Sequence, residues 1–297
     1  METIFPQVYS GNMPFLTVVG NCQAESLRRL ISSPGDLEST RIPPVHELEP
    51  GDMGWFAEML ARTDILVTQP IRNNYRGLPV GTAQTLEQLP RSARCVVVPV
   101  LRYDGLMPYQ AIIRDPADSS LNPPVVPYHD LRILAAASRG LSSPVSHTPS
   151  SDAYIRAAAM SVEQIRSREQ RHGSVVVSDY LETAPVWHTV NHPDNGTLAV
   201  VAARVREALG LGGDVALPDY EMLGELDAPI DSGAGSALGV TVPGRTAWTR
   251  RGGGEISWDE IVSAQLEHYR SRPSLVTHGL ERHAARISNL ELLESAE

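Results

Sequence analysis

Cysteine is nearly absent from this chain: Cys22 and Cys95 are the two in 297 residues. That is too few for a disulfide framework, and a chain with 42% hydrophobic residues can bury enough core to do without one. Long apolar runs are missing too. The stretch around Cys95 to Val98 falls well short of the ~20 residues a membrane-spanning helix needs, so no integral membrane protein is expected. No basic excess is present either, with 25 Lys and Arg against 35 Asp and Glu for a net charge of -10. Such a balance repels a phosphate backbone, which argues against a nucleic-acid partner. Nothing at the start resembles a secretory signal, so a reducing, cytoplasmic location is expected. The histidines at 46, 147, 172, 268, 278 and 283 lack paired spacing with acids or cysteines, and no metal site is expected. The glycine clusters Gly233 to Ser236 and Gly252 to Gly254 carry no phosphate-loop lysine and read as flexible connections.

Where the sequence is patterned, it alternates strand and helix. Phe15 to Gly20 is a continuously apolar strand of the kind that parallel sheets bury on both faces, and Ala24 to Ile31 is helical. The rhythm repeats with a helix over Met53 to Arg62, a strand over Asp64 to Thr68, a helix over Thr82 to Leu89 and a third buried strand over Cys95 to Val100. Asp115 to Pro127 and Ser142 to Ser151 are loops flanking a helix at Asp130 to Ser138. Asp152 then caps a helix to about Arg171, and Val186 to Val190 forms a late strand. Asn195 caps another helix, with Leu198, Val201, Val205 and Leu209 on one face and Gly210 to Gly213 at its end. Ala228 to Gly254 reads as an extended excursion, a further amphipathic helix begins near Ser257, and Leu280 to Glu297 is helical or frayed. The expectation is one α/β domain over 1–297, a three-layer sandwich with a mostly parallel central sheet. Its core runs over about residues 12–212, and helical and irregular additions follow over about 213–297.

Gly20-Asn21-Cys22-Gln23 lies where the first strand hands over to a helix, the edge at which α/β proteins bind ligands. A cysteine there meets the positive end of a helix dipole and open backbone N–H groups, which favour thiolate and a nucleophilic role. Cys22 is equally accounted for as a small buried apolar residue. Cys95, within Cys-Val-Val-Val, reads as core. In Trp187-His-Thr-Val-Asn-His-Pro193 the proline holds His192 extended at a strand end, where it suits a general base or simply bonds a neighbouring turn; His188 reads as structural. Gln69, Arg72, Asn73, Asn74, Tyr75 and Arg76 follow the second strand and offer amide and guanidinium groups for an oxyanion and for phosphate. Arg102-Tyr103-Asp104 and Tyr128-His129-Asp130 offer two further polar sets.

Taken together, Gly-Asn-Cys-Gln after the first strand, Gln69-Pro70 after the second and Asn191-His192-Pro193 late in the chain resemble the WcbI family of capsular polysaccharide biosynthesis proteins, over roughly residues 15 to 210. The resemblance implies an architecture like that of SGNH (GDSL-type) hydrolases and acyl transfer from coenzyme A as co-substrate, with a sugar or another small hydroxylated or aminated metabolite as acceptor. It places Cys22 where such hydrolases carry serine, and His192 where they carry the histidine of a late Asp-x-x-His block. Thr189 stands where that block has its acid, so a third triad member is absent or comes from elsewhere. In this scheme Cys22 and His192 are catalytic. Gly20, Asn21, Gln23, Gln69, Asn73, Asn74, Tyr103 and His129 contact the oxyanion or substrate, and Arg72, Tyr75, Arg76 and Arg102 hold the coenzyme. A cysteine-dependent esterase and a non-catalytic coenzyme- or nucleotide-binding protein are the competing readings, and a homo-oligomer is compatible with all three.

Overall fold

The computed structural model describes residues 13–293, so the last four residues of the Leu280 to Glu297 segment lie outside it. In chain order the first elements are β1 (Phe15–Val19), α1 (Gln23–Ile31), β2 (Glu38–Ser39), α2 (Met53–Ala61), β3 (Ile65–Thr68), α3 (Thr82–Leu86) and β4 (Arg94–Val97). Next come β5 (Gln110–Ala111), β6 (His129–Asp130), α4 (Leu131–Ser138), α5 (Ser151–His172), α6 (Ser178–Leu181) and α7 (Asn195–Ala208). The chain continues through β7 (Leu226–Asp227), α8 (Ser232–Ala237), β8 (Trp248–Arg250), β9 (Glu255–Ile256), α9 (Trp258–Arg270), α10 (Pro273–Arg282) and α11 (Ala284–Asn289). Its contacts fall into two units. The first takes the chain through Leu101 together with Glu163–Leu181 and Pro193–Leu223; the second takes Arg102–Val162, Glu182–His192 and everything from Gly224 onward. Among the described residues no helix is long and apolar enough to cross a membrane.

The first unit is built on a four-stranded parallel sheet, ordered β2-β1-β3-β4, with Val18 paired to Val67 and Val67 to Val96. Every residue of β1 and β3 is buried, as helices on both faces demand. Val19 and Leu66 pack with Phe56 and Leu60 of α2, while α1 lies against β1 and α7. This is the expected three-layer α/β arrangement. Leu198, Val201, Val205 and Leu209 are all buried along α7, as their spacing predicts.

Several local expectations are corrected. Strand β4 is half-exposed and Cys95 is exposed rather than core, because β4 is an outer strand of the sheet and pairs with β3 alone among the described strands. Helix α7 is capped by Asp194, whose carboxylate accepts the Thr197 N–H, while the Asn195 amide bonds the Tyr220 carbonyl and the Met222 N–H. Ser150 rather than Asp152 bonds the first turn of α5, accepting from Ala153 N–H at 3.2 Å.

In the second unit α4, α9 and α10 pack together. Gly279 of α10 sits where a Cβ would come within 2.8 Å of an Ile113 methyl and 2.9 Å of a Leu134 methyl, so a larger residue there would have to push these side-chain ends aside. Two antiparallel ribbons complete the unit, β5 with β6 and β7-β8-β9, the latter with β8 inside the expected extended excursion over Ala228 to Gly254 and β7 and β9 just before and after it.

Candidate functional site

The Gly20 to Gln23 loop is fixed by a pair of buried glutamines. The Gln69 Oε1 accepts the Asn21 N–H at 2.9 Å, and the Gln69 Nε2 donates to the Gln23 Oε1 at 2.9 Å. Gln23 in turn accepts the Leu101 N–H at 3.1 Å and donates to the Leu101 carbonyl at 2.9 Å. These bonds join the segments that leave β1, β3 and β4, the three strand ends at which a parallel sheet presents ligands. Gly20 is required here because a Cβ would lie 2.6 Å from the Gln69 Oε1. The Asn21 side chain accepts the Gln23 N–H at 2.9 Å, forming the turn that starts α1. Gln23 and Gln69 therefore act by holding the loop, and Cys22 is delivered to the N-cap position of α1, half-buried.

That position does not produce a thiolate. Burial pushes the Cys22 thiol above its ordinary 9.0, with a smaller push from the negative charge of Glu47. Backbone N–H bonds from Cys22 and Gln23 oppose this and are outweighed. The expected thiolate is thus corrected to a neutral thiol at pH 7, because desolvation exceeds the stabilisation supplied by the helix start.

After β3 the chain makes a polar loop. Arg72, Asn73, Asn74 and Arg76 are exposed, and Asn74, Arg76 and Gly77 all have positive φ, at 51°, 53° and 80°. Gln84 stabilises the turn by accepting the Asn74 N–H at 2.9 Å and donating to the Asn74 side chain at 2.8 Å. The Arg72 guanidinium sits 5.8 Å from the Tyr75 ring centre. Beside this loop is a cavity of about 400 Å³ lined by Pro70, Ile71, Arg72, Thr82, Val97 and His172.

His192 belongs to the second unit, and the expected strand over Val186 to Val190 is replaced by a tight turn. The His192 N–H donates to the Thr189 carbonyl at 3.1 Å, and the His192 carbonyl accepts the His188 N–H at 3.0 Å. Four residues cannot both close on themselves and pair along a sheet. The Tyr128 hydroxyl, 2.8 Å from both the Thr189 hydroxyl and the Asn191 side-chain oxygen, fixes the turn. Burial lowers the His192 imidazole below its ordinary 6.5, the charge of His188 lowers it further, and Glu225 partly offsets both. His192 is therefore neutral at pH 7 and able to accept a proton. We expect a midpoint below 6.5 in an NMR pH titration of His192, moving upward in His188→Asn.

The acid missing at Thr189 stands beside the other histidine. Asp227 on β7 places Oδ1 2.6 Å from the His188 Nδ1, and Arg245, 3.8 Å from that carboxylate, donates to the Trp187, His188 and Ala228 carbonyls. Sequence inspection missed this pair because 39 residues separate its members and nothing around Asp227 marks it. Tyr103 is interior, 1% exposed and edge-on to Trp187, and does not present itself to a ligand. His129 is also buried; its ring nitrogens lie 2.7 Å from the Tyr269 hydroxyl and 3.2 Å from the Ile113 carbonyl, and burial pushes it down to about 4. Arg102 is half-buried in the second unit.

A parallel sheet with a cysteine-bearing loop tied across three strand ends defines an α/β protein that carries a half-buried thiol where such sheets bind ligands. The family described as polysaccharide biosynthesis enzyme WcbI matches residues 15–214, and the chain belongs to that family. One solved structure aligns with a TM-score of 0.77 and 18% identity over 96% of this chain and 100% of its own. It is WcbI, described as a novel polysaccharide biosynthesis enzyme, in a native form without a disulfide bond between coenzyme A and a cysteine. At that identity the likeness shows the fold. No curated protein matches the sequence.

Proposed function

We propose that this polysaccharide biosynthesis enzyme transfers an acyl group from an acyl-coenzyme A to a sugar or other small hydroxylated or aminated acceptor. The observation that carries the proposal is the rigid delivery of Cys22 to the start of α1 by the Gln69 and Gln23 amides. That the solved WcbI is described by reference to a disulfide between coenzyme A and a cysteine, absent in that form, supports it. The residues present fit the coenzyme: Ile71, Pro70 and Val97 give the cavity beside the loop after β3 an apolar wall for an alkyl arm, and Arg72 brings a guanidinium to it. Arg72 and the exposed Arg76 would hold phosphates, with Tyr75 beside Arg72. When bound, the coenzyme supplies a thioester-activated acyl group.

In this reading His192 takes a proton from the acceptor, a role its neutral state allows. The raised Cys22 thiol favours direct transfer, in which the cysteine borders the coenzyme's sulfur end, over attack by Cys22 itself. The relationship to SGNH hydrolases belongs to the same proposal and frames the alternative in which water is the acceptor.

Calorimetric titration with coenzyme A and acetyl-coenzyme A tests this. Saturable binding of both is expected, weakened about tenfold in Arg72→Ala or Arg76→Ala, the loss of one charge-assisted phosphate contact. Absence of binding, together with rapid turnover of p-nitrophenyl acetate without coenzyme, would transfer the assignment to a hydrolase.

A further inference from the structure

Aromatic residues are rare in this chain, which has 3 Phe, 9 Tyr and 4 Trp. Two of the four tryptophans and two of the nine tyrosines nevertheless line one cavity of about 320 Å³ within the second unit. Trp248 and Tyr128 stack with ring centres 5.5 Å apart and an interplanar angle of 20°. Tyr109 and Trp258 hold the Arg132 guanidinium at 4.3 and 4.8 Å from their ring centres. The arginine is also tied to Asp130 by bonds of 3.0 and 2.7 Å, so its charge is locally cancelled. Asp231 adds a second carboxylate, and His129, also in the wall, is held neutral by burial.

The resulting balance is one cation against two carboxylates, set among aromatic faces. A phosphate or other anion would be repelled. A wholly apolar ligand would strip water from the carboxylates, which hold Arg132 and the Ala234 N–H, without offering them a further donor. A neutral polyol satisfies both features, since its ring C–H face packs on aromatic rings and its hydroxyls donate to carboxylates. The volume is at the small end of the roughly 300–1,000 Å³ of ligand sites, which limits the occupant to about one ring-sized unit plus its substituents.

We propose that this cavity binds a neutral glycosyl unit, held between the Trp248 and Trp258 side of the pocket and the carboxylates of Asp130 and Asp231. As a sugar-binding site the proposal stands on the cavity alone.

The test is saturation-transfer NMR on the full chain with three uncharged probes, methyl β-D-glucopyranoside, methyl α-D-mannopyranoside and N-acetylglucosamine, and adenosine 3′,5′-bisphosphate as the anionic comparison. At least one glycoside should receive saturation on its ring C–H protons. That signal should fall at least fivefold in Thr246→Phe, which fills the exposed mouth of the cavity, and in Trp248→Ala, which removes a wall. Thr246→Phe guards against misfolding of the Trp248 variant, its thermal unfolding being compared with that of the parent. Silence from all three glycosides overturns the proposal, as does a glycoside signal unchanged in Thr246→Phe. Binding of the bisphosphate that is lost in Thr246→Phe also overturns it. Calorimetry with coenzyme A separates the two readings: glycoside binding without coenzyme binding sinks acyl transfer and leaves the cavity assignment standing, and the reverse pattern sinks the cavity assignment alone.

Discussion

Alkylation of Cys22 by iodoacetamide at pH 7 is expected to run at about 1% or less of its limiting rate, because a thiol raised above 9.0 is at most about one-hundredth ionised there. The rate should climb roughly tenfold per pH unit and show no plateau at or below pH 9. Two opposing effects meet at this thiol. The start of α1 provides N–H groups and a partial positive charge, which lower it, while the surrounding loop removes water and Glu47 adds negative potential, which raise it. Water removal dominates because the half-buried position of Cys22 costs the charged form more than the helix start returns. The experiment is best done in Cys95→Ser, since the exposed Cys95 on the edge strand would otherwise react alongside. A midpoint near 6 or 7 would mean that the helix start outweighs burial, and would restore Cys22 as a ready nucleophile.

Changing Gln69 to Glu alters one heavy atom and should cost about 3 kcal/mol of stability at pH 7, with most of the loss recovered near pH 4. The amide at this position is 2% exposed and uses both of its ends: the oxygen takes the Asn21 N–H and the nitrogen donates to the Gln23 oxygen. An ionised carboxylate keeps the first bond, turns the second into a contact between two acceptors and buries a charge. A protonated carboxyl has an O–H that can replace the lost donor. The sign follows from the direction of the shift. Burial and the facing oxygen raise the new carboxyl's pKa in the folded protein above the unfolded value of about 4.3, so its protonated form stabilises fully below that value, and the contribution is lost as pH rises through the higher folded value. Chemical denaturation at a series of pH values reads this directly. A variant equally stable at pH 4 and pH 7 would mean that Gln69 and Gln23 are not bonded as described.

Much of this network was legible in part. The Gly-Asn-Cys-Gln segment, the strand before it and Gln69 after the second strand could be placed from apolar runs alone, because fully buried parallel strands write themselves as continuous hydrophobic stretches. What those residues do was not legible. Gln23 and Gln69 look like ligand contacts in sequence, and their real partners, Asn21, each other and Leu101, become apparent once three strand ends are brought together. Val186 to Val190 has a strand's composition and ends in a turn instead, since the Tyr128 hydroxyl and the closure of Thr189 on His192 override local preference. Cys95 shows the same limit at the level of topology: Cys-Val-Val-Val reads as core in any central strand, and only strand order reveals that it lies on the outermost one. The His188 and Asp227 pair and the aromatic cavity are built from segments far apart in the chain, so no window of sequence contains them.

The most direct test of the account is to incubate Cys95→Ser protein with oxidised coenzyme A, the symmetric disulfide, and locate the adduct by mass spectrometry. A thiolate at Cys22 would displace one coenzyme A thiol and retain the other as a mixed disulfide, with no change in overall oxidation state. The account predicts one coenzyme adduct, on Cys22, formed faster at pH 9 than at pH 7, slowed in Arg72→Ala and blocked by acetyl-coenzyme A. No adduct at Cys22 at either pH, or one that acetyl-coenzyme A does not protect against, would contradict the claim that this loop holds the sulfur end of the coenzyme.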